Sequence, residues 1–237
     1  GAKEPALKDI SFCAMAGQTI GVIGGTGSGK STLVNLIPRF YDAASGQVLV
    51  DGTDVREYSL DELRDKTGVV PQKSVLFKGT LRDNMRWGKQ DASDEEIYRA
   101  LDTAQAREFV DSKGEGLDLY IDQGGHNLSG GQRQRLTIAR ALVRRPEILI
   151  MDDSASALDF ATDARLRKAI RENTGDMNVF IVSQRAATIK SADTILVLDE
   201  GRLAGMGTHK ELLKDCQVYR EICLSQLSKE EVERDEQ

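Results

Sequence analysis

Eight residues, Gly24 to Ser31, read GGTGSGKS, and they leave this chain few folds to choose from. They fill every fixed position of the pattern G-x-x-x-x-G-K-[ST]. The run before them, Gln18 to Ile23, reads as a strand, and Lys30 to Ile37 after them reads as a helix. That context separates the motif from an ordinary glycine-rich turn. Gly24, Gly27 and Gly29 allow successive N–H groups to turn toward one anion, and the helix that follows adds the positive end of its dipole. In such a loop the backbone of Gly24, Gly25, Thr26, Gly27, Ser28 and Gly29 cradles phosphates. Lys30 reaches the terminal phosphates of a nucleoside triphosphate, the Ser31 hydroxyl ligates Mg2+, and Thr32 completes the binding set.

The rest of the chain is consistent with an α/β core. Glu147 to Met151 is a continuous apolar run of strand length, as expected of a parallel strand buried on both faces. Asn178 to Val182 and Thr194 to Leu198 repeat that pattern, with helical segments between, which argues for a mostly parallel sheet. Val48 to Val50 and Val69-Val70 read as further short strands, the first ending at the turn pair Asp51-Gly52. Leu60 to Lys66 reads as a helix, with Ser59 and Glu62 forming a capping box. Ile10 to Phe12 and Gln18 to Ile23 are expected to be two short strands about Ala16-Gly17, an N-terminal antiparallel β portion. From about Trp87 to Arg145 the pattern turns helical: Asp94 to Ala104, with Ser93 and Glu96 as a second capping box, then Ala106 to Ser112 and Gly130 to Arg144. The expected organisation is an α/β core from 1–86 and 146–237, with a helical subdomain at 87–145 inserted. The almost wholly charged stretch Lys229 to Gln237 is expected to fray.

Composition narrows the function classes. A chain of 237 residues with 40% hydrophobic content suits one α/β domain, and a net charge of −6 argues against a nucleic-acid partner. No apolar run is long enough to cross a bilayer as a helix, and GAKEPALKDI lacks the apolar core of a signal peptide. Cys13, Cys216 and Cys223 are odd in number and scattered, which suits a reducing compartment. No metal-ligand spacing surrounds Cys216 and Cys223, so ordinary packing is expected of them.

A second glycine motif, LSGGQ from Leu128 to Gln132, is much rarer than the first. Met151-Asp152-Asp153 closes a buried strand, where open α/β sheets bind ligands. Gln72 follows Val69-Val70-Pro71, and the stretch VLFKGTLRDNMRWG begins at Val75. In this order the motifs resemble the nucleotide-binding domain of ATP-binding cassette (ABC) proteins, and the 75–88 stretch resembles exporter-type members. The resemblance runs from Leu7 to about Leu227. It implies a P-loop NTPase (RecA-like) core that binds ATP and Mg2+. By that likeness Asp152 and Gln72 join Ser31 in holding the metal, and Ser156 to Asp159 is the loop that crosses between paired domains. Ser129, Gly130, Gly131 and Gln132 close over the ATP of a second nucleotide-binding domain. The further partners implied are transmembrane domains at the cytoplasmic face of the cell membrane. The arginines of the following helix, Arg133, Arg135, Arg140, Arg144 and Arg145, are expected to form a solvated face.

Several positions depart from the family pattern. Asp153 stands where a Glu usually polarises the attacking water. Its carboxylate retreats by roughly 1 Å, and a misplacement of ~1 Å can cost ~10²-fold in rate, about 2.7 kcal/mol of barrier. Gln184, after Val179 to Ser183, stands where the family has a His that contacts the γ-phosphate; an amide donates a neutral hydrogen bond but carries no proton. With Gln72, these are the candidate catalytic residues. Gln123 replaces a Glu expected before the second glycine motif, and the adenine-stacking aromatic would precede Gly1. The pattern resembles the degenerate-site subunit of a heterodimeric multidrug-type exporter, with weak hydrolysis at its own site. A homodimer with two slow sites is the first alternative. A non-transport ABC ATPase is the second, against which stands the short gap of 55 residues between Gln72 and Leu128.

Overall fold

The computed structural model describes residues 5–154 and 157–236. They fall into two compact units, one drawn from Gly1–Thr67 and Asn178–Gln237, the other from Gly68–Met177. In chain order the first unit opens with β1 (Thr19–Gly24), α1 (Lys30–Asn35), β2 (Leu49–Val50), β3 (Thr53–Asp54) and α2 (Leu60–Lys66). The chain enters the second unit through β4 (Thr67–Val70). There it forms β5 (Gly79–Thr80), α3 (Leu81–Arg86), α4 (Asp94–Thr103), α5 (Arg107–Ser112), β6 (Tyr120–Ile121), α6 (Gly130–Val143), β7 (Ile148–Asp152) and α7 (Phe160–Asn173). It returns to the first unit as β8 (Asn178–Val182), α8 (Ala186–Ile189), β9 (Thr194–Asp199), β10 (Arg202–Gly207), α9 (His209–Asp215), α10 (Gln217–Leu224) and α11 (Lys229–Glu236).

In the first unit β1 lies between β8 and β9 and runs parallel to both, with Val22 opposite Val182 and Leu196. β10 pairs antiparallel with β9. Ile20, Val22, Ile23, Val179 to Val182 and Ile195 to Leu198 are all buried, which is why these strands read as unbroken apolar runs. The β2–β3 hairpin turns through Asp51 (φ 51) and Gly52 (φ 77), the left-handed pair a two-residue turn needs. α2 starts on the expected capping box of Ser59 and Glu62. In the second unit β7 and β4 are neighbours, and α6 is the central helix, with Leu136, Ile138, Ala139 and Val143 buried. The Ser93–Glu96 capping box opens α4. The stretch 87–145 lies inside this unit, and it includes one short strand, β6, paired with β5.

Two expectations differ from the structure. Ile10 to Phe12 forms no strand. Phe12 instead packs edge-on against Phe180, with ring centroids 6.3 Å apart, and the Lys8 N–H donates to the Gly201 carbonyl at 2.7 Å. Side-chain packing, not strand pairing, holds this segment, and the antiparallel pairs of the first unit are β2–β3 and β9–β10. Nor do the described residues of the C-terminal stretch fray: Lys229–Glu236 is helix α11. Ser228 and Glu231 cap it reciprocally, and its one apolar residue, Val232, is buried. Asp235 meets Lys190 at 3.5 Å and His209 at 3.4 Å, and Glu236 meets Arg220 at 2.8 Å. Cys216 and Cys223 are buried in the same unit, and Cys13 is exposed.

Candidate functional site

The glycine-rich loop joins the end of β1 to the start of α1. A Cβ on Gly24 would sit 2.1 Å from the Leu198 carbonyl oxygen, so β9 fixes the loop's first residue. At the other end Gly29 precedes α1 in the left-handed region (φ 98), beneath Leu7. Between them Gly25, Thr26 and Gly27 are exposed, and a Cβ on either glycine would meet nothing within 4 Å. Lys30 is only 9% exposed. Its ammonium donates to the carbonyls of Gly24 (2.9 Å) and Gly25 (2.7 Å) and to Ser28 Oγ (3.5 Å). Ser31 is exposed and Thr32 half-buried, and the first turn of α1 carries no acidic residue to repel an anion. Open backbone, a buried cation and a helix start free of carboxylates fit a polyphosphate.

Gln184 lies two residues beyond β8. Because Val182 is paired with Val22, it leaves the sheet at the same edge as the glycine-rich loop. Ser183 Oγ accepts from the Arg185 N–H at 3.0 Å. The Gln184 carbonyl accepts from Gln226 Nε2 at 2.7 Å, and Gln226 Oε1 accepts from the Ala186 N–H at 2.9 Å.

The second unit gathers three more candidates. Asp152 ends β7, and Asp153 follows it in the left-handed region (φ 45), which Asp tolerates better than most residues. Gln72, which is exposed, donates from Nε2 to Asp153 Oδ2 at 3.3 Å, joining residues 81 apart in sequence. The loop behind Gln72 is tied to α6: Ser74 Oγ bonds Gln134 Oε1, and Arg140 donates to the Val75 carbonyl at 2.9 Å.

At the start of α6 Ser129 and Gln132 form a capping box, with Gln132 N to Ser129 Oγ at 3.2 Å and Ser129 N to Gln132 Oε1 at 2.9 Å. The Gln132 amide oxygen is thereby engaged on its own helix, while its NH2 group and the Ser129 hydroxyl keep hydrogens to donate. Gly130 and Gly131 fill the first helical positions. A Cβ on Gly130 would have no neighbour closer than 3.9 Å, and one on Gly131 none closer than 3.4 Å.

The family model for ABC transporters matches residues 7–156. The chain belongs to the ABC transporter family. Among curated relatives, an uncharacterized ABC transporter ATP-binding protein of Mycobacterium bovis is 49% identical over 95% of this chain and 39% of its own length. An ATP-dependent lipid A-core flippase of Haemophilus influenzae is 42% identical over 96% of this chain and 39% of its own. The structure of a bacterial Atm1-family ABC exporter with ATP bound superposes with a TM-score of 0.91 at 37% identity, covering 97% of this chain and 40% of that one. The chain thus spans about two fifths of the length of these relatives. Among the described residues no helix is long and apolar enough to cross a membrane.

Within this ABC domain the arginines of α6 do not form a solvated face. Arg133 donates to the carbonyls of Gly125 (3.3 Å) and Leu128 (3.4 Å), Arg135 to Gln105 (2.5 Å) and Arg144 to Gly88 (3.0 Å). With Arg140 on Val75, four of them brace loops of the second unit, and Arg145 alone is exposed. Of the expected crossing loop, Ala157 to Asp159 is described, and Asp159 caps α7 by accepting from the Thr162 N–H at 2.9 Å; Ser156 lies outside the described residues. The sequence reading missed Ser74, Gln134 and Gln226. A lone Gln or Ser in a helix or loop carries no local signal, and these act only through chain segments far away in sequence.

Proposed function

We propose that this chain is the ATP-binding and ATP-hydrolysing domain of an ABC exporter, that its own nucleotide site turns over slowly, and that its LSGGQ segment completes the site of a second nucleotide-binding domain. The observation that carries the nucleotide reading is the loop itself. Lys30 is held buried at the root of an exposed glycine backbone, at a helix start without carboxylates. The Mg2+ that accompanies ATP supplies charge neutralisation between phosphate oxygens. Ser31, Asp152 and Gln72 have the oxygen donors to hold it. Lys30 exchanges its carbonyl partners for phosphate oxygens, and Asp153 orients the attacking water.

Two residues support slow turnover. Asp153 offers a short carboxylate already engaged by Gln72. Gln184 offers an amide where the family has a His. The second-domain reading draws support from Gly130 and Gly131. Glycine weakens a helix by up to about 1 kcal/mol relative to alanine, yet nothing within this chain crowds either position. Bare backbone N–H groups at a helix start suit an anion brought by another molecule. The partner we propose is a different subunit that owns the Glu and His, with both chains joined to transmembrane domains at the cytoplasmic face of the membrane.

The test is kinetic. In the assembled transporter, with the partner's own site inactivated, Asp153→Glu combined with Gln184→His is expected to raise ATP hydrolysis at least about tenfold, the scale expected when a misplaced group is restored. Lys30→Ala is expected to abolish nucleotide binding at this site. No gain from the double variant sinks the slow-site reading, and undiminished binding in Lys30→Ala sinks the nucleotide reading itself.

A further inference from the structure

We infer that Gln226 is a positioning residue for Gln184, so that the helical C-terminal part of the first unit sets the geometry of the segment that follows β8. The inference rests on the reading of Gln184 as a nucleotide-facing residue and adds to it the group that holds it in place.

Few regular hydrogen bonds fix the backbone between β8 and α8. Hydrogen bonds to β1 end with Ser183 N to the Val22 carbonyl at 3.1 Å. α8 has only four residues, Ala186 to Ile189, and the side chain of its N-cap residue, Arg185, makes no capping hydrogen bond. α8 holds this stretch through the Arg185 carbonyl, which accepts from the Thr188 N–H at 3.1 Å; the Gln184 carbonyl and the Arg185 and Ala186 N–H groups bond side chains instead. Both Gln184 and Arg185 are exposed, so packing does not hold them.

Two side chains take up the backbone groups here. Ser183 Oγ accepts from the Arg185 N–H at 3.0 Å, a local contact. Gln226 comes from 40 residues away and binds on both sides of Arg185. Its Oε1 accepts from the Ala186 N–H at 2.9 Å, and its Nε2 donates to the Gln184 carbonyl at 2.7 Å. A primary amide presents one acceptor and one donor side by side, as a neighbouring strand would. Gln226 thus extends the backbone pairing of the sheet edge by one rung, and that rung belongs to a different element.

Gln226 itself is firmly placed. It follows α10, where its own N–H and that of Leu227 both bond the Cys223 carbonyl, at 3.0 and 2.8 Å. α10 is anchored by buried Tyr219 and Cys223, and Tyr219 bonds His209 of α9 at 2.8 Å. The Gln226 amide therefore projects from a fixed base toward a segment with few other restraints. The Gln226 side chain is exposed, so replacing it opens no cavity and the variant is expected to fold.

The experiment uses Gln226→Met, which keeps the length of the side chain and removes both hydrogen bonds, in the full-length transporter. Amide exchange at Ala186 is expected to accelerate at least about fivefold, as for a local opening, with β8 unchanged. With the partner site inactivated, kcat for ATP is expected to fall about tenfold, less than the ~10²-fold of a full 1 Å misplacement, while KM stays within twofold. In a Gln184→Ala background the same substitution is expected to change kcat by less than twofold, because the side chain it positions is gone. A structural role alone would give equal losses in both backgrounds. Equal losses, or unaltered exchange at Ala186, overturn the inference while Lys30-dependent turnover of the unaltered protein stands. Absence of that turnover overturns the functional reading and this inference with it.

Discussion

Gly24 carries the heaviest steric demand in the glycine-rich loop. The Leu198 carbonyl lies 2.1 Å from where its Cβ would be, and that oxygen belongs to a central strand that cannot yield. Gly24→Ala is therefore expected to destabilise the protein by at least about 2 kcal/mol, read as a lower urea midpoint with an unchanged slope. Gly25→Ala, with open space around it, should leave the midpoint unmoved. If both variants unfold alike, the contact with β9 is not what fixes the loop. At this scale the sequence was most legible where a motif dictates local geometry, as in GGTGSGKS. It was silent where a side chain acts across the fold. The Gln72–Asp153 hydrogen bond joins positions 81 apart, and Gln226 meets Gln184 only because α10 ends beside the end of β8. No periodicity encodes either contact.

Among the elements, α6 shows how one helix start serves two demands. Its capping box of Ser129 and Gln132 was hidden inside LSGGQ, since the same letters satisfy both the cap and the motif. The glycines between them weaken the helix with no crowding inside the chain to require it. Gly130→Ala is accordingly expected to leave thermal stability equal or higher, by up to about 1 kcal/mol, while impairing the partner's ATP turnover at least about tenfold. A variant that loses stability and keeps turnover would assign the glycines to folding instead. The long buried strands and the helices α2 and α4 were readable because burial on both faces, and the Ser59–Glu62 and Ser93–Glu96 capping boxes, leave local patterns. Ile10 to Phe12 misled because alternation in a short segment cannot distinguish a strand from an extended arm packed through one aromatic ring. α11 misled in the opposite direction, since one buried valine and a capping box outweigh an otherwise charged composition.

On the scale of the whole molecule, the C-terminal helices give the first unit a pH dependence. Burial pushes the His209 imidazole below its ordinary 6.5, against a smaller opposing pull from Asp235; Lys190 also faces it, and Tyr219 bonds its Nδ1. The unfolded chain takes up a proton near pH 6.5, and the folded chain resists it. Stability is therefore full above that value and declines as pH falls through it toward the lower folded value. His209→Gln is expected to flatten this decline, measured as the loss of Tm between pH 7.5 and 5.5. An equally steep loss in the variant would place the titrating group elsewhere. Charge also bears on how a nucleotide finds this chain. The molecule is net negative, and Lys30 is sunk among carbonyl oxygens of its own loop. Net negative charge opposes an approaching polyanion, so added salt, which screens that repulsion, is expected to speed the encounter.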